Sequence, residues 1–177
     1  MAFGRLALPV LHLRRTGMAE NRIAALTLDE ATLLKRSAQV EREREVALRD
    51  LAQENRFTPM RSVARGHAGP WSLRLAVDEG RLAITVSDGE GGEAETLGLG
   101  LTRFRRVVRE YFAICDSYYK ALRKASPLEI ETVDMARRAI HDRGTRQLLE
   151  ALEGKVETDF ATARRLFTLI CVLHIRA

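Results

Sequence analysis

The sequence is poor in cysteine. Its two, Cys115 and Cys171, each sit inside an apolar run and fit no extracellular disulfide pattern, which excludes a disulfide scaffold and points to a reducing cytoplasm. Long apolar runs are absent as well. The most apolar stretch, residues 164–177 (RRLFTLICVLHIRA), falls far short of the roughly 18–20 residues that span a bilayer, so no membrane association is expected. Lysine is scarce, with only Lys35, Lys120, Lys124 and Lys155. No glycine-rich phosphate loop is present, since DGEGGEAE is acidic and reads as a hairpin turn. No motif fixes a serine or cysteine nucleophile, and no second ligand pair stands at metal-site spacing, so neither metal nor cofactor is expected.

What is there is an ordinary folding composition, 46% apolar and 30% charged over 177 residues, enough to bury a core without staples. The charge is unevenly placed. Residues 1–17 carry three arginines and no acid, residues 18–100 carry 11 basic against 14 acidic residues, and residues 101–177 carry 15 against 10. The basic pair Arg14 and Arg15 follows a short apolar patch, the reverse of a secretory signal. Residues 1–17 therefore read as an extension before Met18, and residues 18–177 as one domain.

Along that domain NRIAALTL suits a strand, and DEATLLKRS reads as a turn and a short helix. Residues 38–55 form a charged helix with a narrow apolar face of Val40, Val46 or Ala47, Leu48 and Leu51. FTPMRSVARGHAGP is a loop around a short strand. WSLRLAVD and RLAITVSD alternate with period two across a DEGR turn, and a third strand covers about residues 93–99. Helices follow. One has Thr102 as N-cap and a stripe of Phe104, Val107, Val108, Tyr111, Cys115, Tyr118 and Leu122. A second opens at Ser126-Pro127 and closes at Gly144, a short third runs through TRQLLEALEG, and the last is capped by Asp159. Strands before helices give an α+β fold, a small antiparallel sheet of three or four strands against C-terminal helices, with one charged helix on the N-terminal side.

The stretches FRRVVREYFAICDSYY, DMARRAIHDRG and GKVETDFATARRLFTLICVLH resemble the C-terminal signature of uncharacterised protein family 0262, a bacterial family. RIAALTLDEATLLKRSAQVEREREVALRDLAQENRF is similar to that family's opening, so the likeness covers about residues 20–176. Ala136 and Ala139 stand where the family pattern has glycine, which implies a stiffer helix. The resemblance implies a small intracellular bacterial protein and carries no catalytic residue.

Four constellations could carry chemistry. Arg103, Arg105, Arg106 and Arg109 crowd one helix start, with Arg137 and Arg138 on another helix and Arg164 and Arg165 on the last. Guanidinium forks suit carboxylate or phosphate, and the plainer alternative is internal pairing with Glu110, Asp116, Asp134, Asp142 and Asp159. Second, Phe104, Tyr111, Phe112, Tyr118 and Tyr119 beside these arginines could stack nucleic-acid bases, though Phe104, Tyr111 and Tyr118 belong to a core stripe. Third, Asp134, Arg138 and His141 share a helical face, so His141 could act as a general base oriented by a carboxylate. Fourth, Cys171 and His174 at i, i+3, with Cys115 in a similar context, are a weak zinc signal, and His174 reads better as a core histidine. The combined expectation is a non-catalytic cytoplasmic binding or regulatory module. Its arginine-rich helical surface, Arg105, Arg106, Arg109, Arg137, Arg138, Arg164 and Arg165, would engage an acidic protein, or secondarily nucleic acid. The rivals are an enzyme on a phosphorylated or carboxylated small molecule and a homodimer through the last helix.

Overall fold

The structure is a computed structural model that describes residues 21–29 and 37–174. The extension 1–17, the DEATLLKRS helix over residues 30–36 and the side chain of His174 lie outside the described residues.

Alternation builds the sheet. Strand β3 (Trp71–Asp78) buries Trp71, Leu73 and Leu75, β4 (Arg81–Ser87) buries Leu82, Ile84 and Val86, and β5 (Glu93–Gly100) buries Leu97 and Leu99, each turning the intervening residues outward. The three run antiparallel as a meander. The fourth strand, β1 (Ile23–Leu28), corrects the antiparallel expectation, since it pairs with β3 in parallel and makes the sheet mixed, in the order β1-β3-β4-β5. A register shift between Ile23 and Ala25 lets Ile23, Leu26 and Leu28 all face inward. The side chain of Asn55 holds this edge strand, accepting from Ile23 N at 2.6 Å and donating to Ile23 O at 3.0 Å.

Helix α1 (Ala38–Gln53) starts where Ser37 Oγ accepts from Val40 N, and buries Ala47 and Leu51 while Val46 faces solvent. Two residues after Asn55 comes β2 (Phe57–Pro59), which pairs antiparallel with β6 (Val156–Thr158) about 100 residues further on, and a single-turn helix α2 (Met60–Ala64) follows it. The strand half ends in a 3-10 turn over Leu101–Phe104. Thr102 is exposed inside that turn and makes no side-chain cap bond, so the expected N-cap is wrong by one turn; Leu101 and Phe104 are pulled into the core instead.

Helix α3 (Arg105–Lys124) buries Val107, Val108, Tyr111 and Cys115 on one stripe. Helix α4 (Pro127–Leu152) opens with a capping box, Ser126 and Glu129 bonding reciprocally. It does not stop at Gly144. The two helices expected around that glycine are one, because Gly144 is buried mid-helix with the ring of Phe167 laid on its bare Cα, where a Cβ would collide with the ring carbons. A mid-helix glycine costs roughly 1 kcal/mol in propensity, offset here by the close approach it permits. Helix α5 (Phe160–His174) starts where Asp159 Oδ1 accepts from Thr162 N at 2.7 Å, as expected.

The helical layer closes on the sheet where Leu148, Leu152, Leu166 and Ile170 meet Leu73, Leu75 and Ile84 around a void of about 10 Å³. Every residue from Leu166 to Leu173 is buried within the one chain. Among the described residues no helix is long and apolar enough to cross a membrane.

Candidate functional site

The arginines singled out by the sequence fall into three separate groups. At the start of α3, Arg105 and Arg109 face solvent without an ion pair among the described residues, as does Arg103 in the preceding turn. Arg106 donates from Nε to Glu110 Oε1 at 2.8 Å, and Arg143 of α4 donates to the other oxygen of the same carboxylate. One acid thus serves two arginines, and three more arginines have none among the described residues.

The second group repeats that sharing on α4. Arg137 and Arg138 each donate from Nε and Nη2 to Asp134, one to each carboxylate oxygen, at 2.5–3.0 Å. Burial works against the charge on Asp134, but the bonds from Arg137 and Arg138 outweigh it and hold its carboxyl below the usual aspartate range. Arg137 also lies 5.0 Å from the Tyr118 ring centroid. The third group parts company on α5. Arg164 turns inward to His141, with Asp142 Oδ1 at 3.6 Å, and Arg165 crosses to Asp50 of α1 at 2.8 Å.

His141 is 4% exposed. Its Nδ1 accepts from Arg164 Nε at 3.1 Å, its Nε2 lies 2.8 Å from Thr168 Oγ1, and the Thr168 hydroxyl donates back to Arg164 O at 3.2 Å. With Nδ1 accepting, Nε2 carries the proton and donates to Thr168, so the ring is neutral and both nitrogens are used. Its ring also meets Tyr111 and Phe167 edge to face at 4.9 and 5.4 Å. Burial first, then the charges of Arg164, Arg137 and Arg165, push its pKa down to about 3. The carboxylate expected to orient it, Asp134, spends its oxygens on arginines.

The aromatic residues are engaged too. Tyr111 and Tyr119 both direct hydroxyls to Glu43 of α1, at 3.4 and 3.2 Å, Phe112 stands 5.8 Å from Tyr111, and Tyr118 meets Tyr119 edge on at 5.6 Å. Burial pushes the thiol of Cys115 up to about 11 and that of Cys171 well above the ordinary range. No cluster of metal-ligating side chains occurs among the described residues.

The model of an uncharacterised protein family, UPF0262, matches residues 20–176. The chain belongs to this family. UPF0262 proteins of the bacteria Erythrobacter litoralis and Novosphingobium aromaticivorans are 62% and 59% identical to it, each over 90% of this chain and 99% of their own length. A UPF0262 protein from a Bradyrhizobium strain is 50% identical over 87% of this chain and 90% of its own. No solved structure matches. The UPF0262 match spans every described element, so all three arginine groups lie within it.

Two members of these networks were missed from sequence. Glu43 lies 68 residues before Tyr111, and Arg143 lies 33 residues after Glu110, so no local spacing announces either. Also unannounced is the pair His67 and Asp88, 2.7 Å apart, in which the His67 bond first, then the Gly92 amide, holds Asp88 below its ordinary range.

Proposed function

We propose that this UPF0262 protein is a non-catalytic cytoplasmic binding module whose arginine face engages an acidic partner protein. The face is made by the start of α3 and the C-terminal half of α4. The observation that carries this reading is the surplus of arginine there: Glu110 is shared between Arg106 and Arg143, while Arg103, Arg105 and Arg109 have no ion pair among the described residues. Exposed guanidinium groups without internal partners offer bidentate sites to carboxylates and a positive field that falls off over about 8 Å at physiological salt.

A protein is favoured over nucleic acid because the aromatic rings that would stack bases are engaged, Tyr119 with Glu43 and Tyr118 under Arg137. An enzymatic site at His141 is disfavoured by its burial and by bonds at both nitrogens. Dimerisation through α5 is disfavoured because Leu166 to Leu173 are already covered by their own chain.

Affinity capture from a native host, comparing wild type with Arg105→Glu/Arg109→Glu, tests the reading. The expected result is an acidic protein retained at low salt by the wild type and lost with the double variant. Fluorescence anisotropy with RNA and DNA oligomers decides the alternative, since binding that weakens steeply with salt would assign the face to nucleic acid.

A further inference from the structure

A concavity lies where β5 runs into the 3-10 turn and the α4–β6 turn passes over it. It is a cleft of about 310 Å³ lined by Gly98, Leu99, Gly100, Thr102, Arg103, Ala151 and Lys155. That volume is at the lower end of the range for small-molecule sites, roughly 300–1,000 Å³.

Its lining has one sign of charge. Arg103 and Lys155 supply two cations, Thr102 a hydroxyl, and no carboxylate lines it; Glu150 in the last turn of α4 and Glu153 after it are not among its walls. Neither Arg103 nor Lys155 has an ion pair among the described residues. A third cation, Arg81, stands beside it, its Nη2 3.2 Å from where a Cβ on Gly98 would be, and it too lacks an ion pair among the described residues.

The walls are fixed by backbone bonds rather than by the cations. Leu101 N donates to Gly80 O at 3.1 Å, Lys155 N donates to Leu152 O at 2.9 Å, and Lys155 O accepts from Met60 N at 3.0 Å. β5 is an edge strand, so alternate amides along it have no sheet partner. A Cβ on Gly100 would meet no atom within 4 Å, so a side chain added there would stand in open space at the cleft wall.

We propose that this cleft binds a small phosphomonoester. A guanidinium fork and a hydroxyl on the 3-10 turn and an ammonium on the α4–β6 turn bring three donor groups to one cleft from two separate pieces of backbone. That suits three terminal phosphate oxygens better than the two oxygens of a planar carboxylate. Leu99 and Ala151 provide the apolar wall for the carbon portion of the ligand. Arg103 is common to this cleft and the partner-binding face, whereas Thr102 and Lys155 line the cleft alone, so Lys155→Met tests the cleft without touching that face.

The test is calorimetric titration of the full chain at low salt with glycerol 3-phosphate, inorganic phosphate and acetate. Glycerol 3-phosphate is expected to bind more tightly than inorganic phosphate, and acetate not measurably. Arg103→Met and Lys155→Met should each weaken binding about tenfold, as loss of a charge-assisted bond implies. Gly100→Val, which fills the opening without altering charge, should weaken it at least as much, and Arg109→Met should leave it within about twofold. Circular dichroism confirms folding, and the two cation variants decide the matter should Gly100→Val fail to fold. Absence of binding by glycerol 3-phosphate at millimolar concentration, equal binding of acetate, or equal loss in Arg109→Met would each overturn the proposal.

Discussion

The Nε–H of Arg164 donates to Nδ1 of His141 across 3.1 Å, placing a permanent cation against an imidazole that must stay neutral in order to accept. Protonating that ring would cost the bond and set two positive charges side by side in the core.

The pH dependence of stability follows. His141 is held near 3 in the folded chain, against an ordinary value of 6.5. Its contribution is complete above pH 6.5. As pH falls from there toward 3, the unfolded chain takes up a proton that the folded chain refuses, so stability falls by up to about 1.4 kcal/mol per pH unit. Urea midpoints at pH 7, 6 and 5 should show this slope in the wild type and a shallower one in His141→Gln, which starts lower at pH 7. Parallel slopes would mean that the ring titrates normally.

Gly144 gives a prediction whose sign is decisive. In an open helix interior, glycine to alanine stabilises by roughly 1 kcal/mol. Here the new methyl would fall within the Phe167 ring, so Gly144→Ala should destabilise by about 3 kcal/mol, lowering the melting temperature by roughly 6–12 °C. Adding Phe167→Ala should cost less in that background than alone, because the two changes share one volume. Calorimetric melting of the three variants checks it.

Neither thiol should react while the chain is folded. Cys115 is pushed up to about 11 by burial and Cys171 well above the ordinary range by the same cause, and both are buried. Titration with a disulfide reagent at pH 8 should show no fast phase in the native protein and release both thiols in guanidinium. A fast native equivalent would place one of them at the surface.

Much of this arrangement was legible in the sequence where neighbours in the chain are neighbours in space. The period-two hairpin of β3 and β4, the apolar stripe of α3, and the Ser126 and Asp159 caps all depend on residues within a few positions of one another. β1 failed this condition, because its parallel partner lies beyond α1 and no alternation within Ile23–Leu28 encodes a direction of pairing. β2 and β6, three residues each, are too short to show a period. Gly144 was misread because a glycine that ends a helix and one that seats a ring look alike until Phe167 is in place. The arginines were visible as residues, yet their division between shared carboxylates, the core and open solvent depends on Glu110, Asp50 and His141 arriving from other segments. Lys155 and Arg103 share a cleft only because the α4–β6 turn crosses the end of β5.

The β2–β6 pair bears on how the chain is made. Arg56 N donates to Thr162 Oγ1 and Thr158 Oγ1 to Arg56 O, contacts separated by 106 and 102 residues, and α1 packs on α5. While residues 156–174 are still inside the ribosome, β2 has no partner and Ala47 and Leu51 of α1 have no α5 to cover them. The N-terminal half of the domain therefore cannot complete its packing until α5 has emerged, so these elements close together rather than one after another.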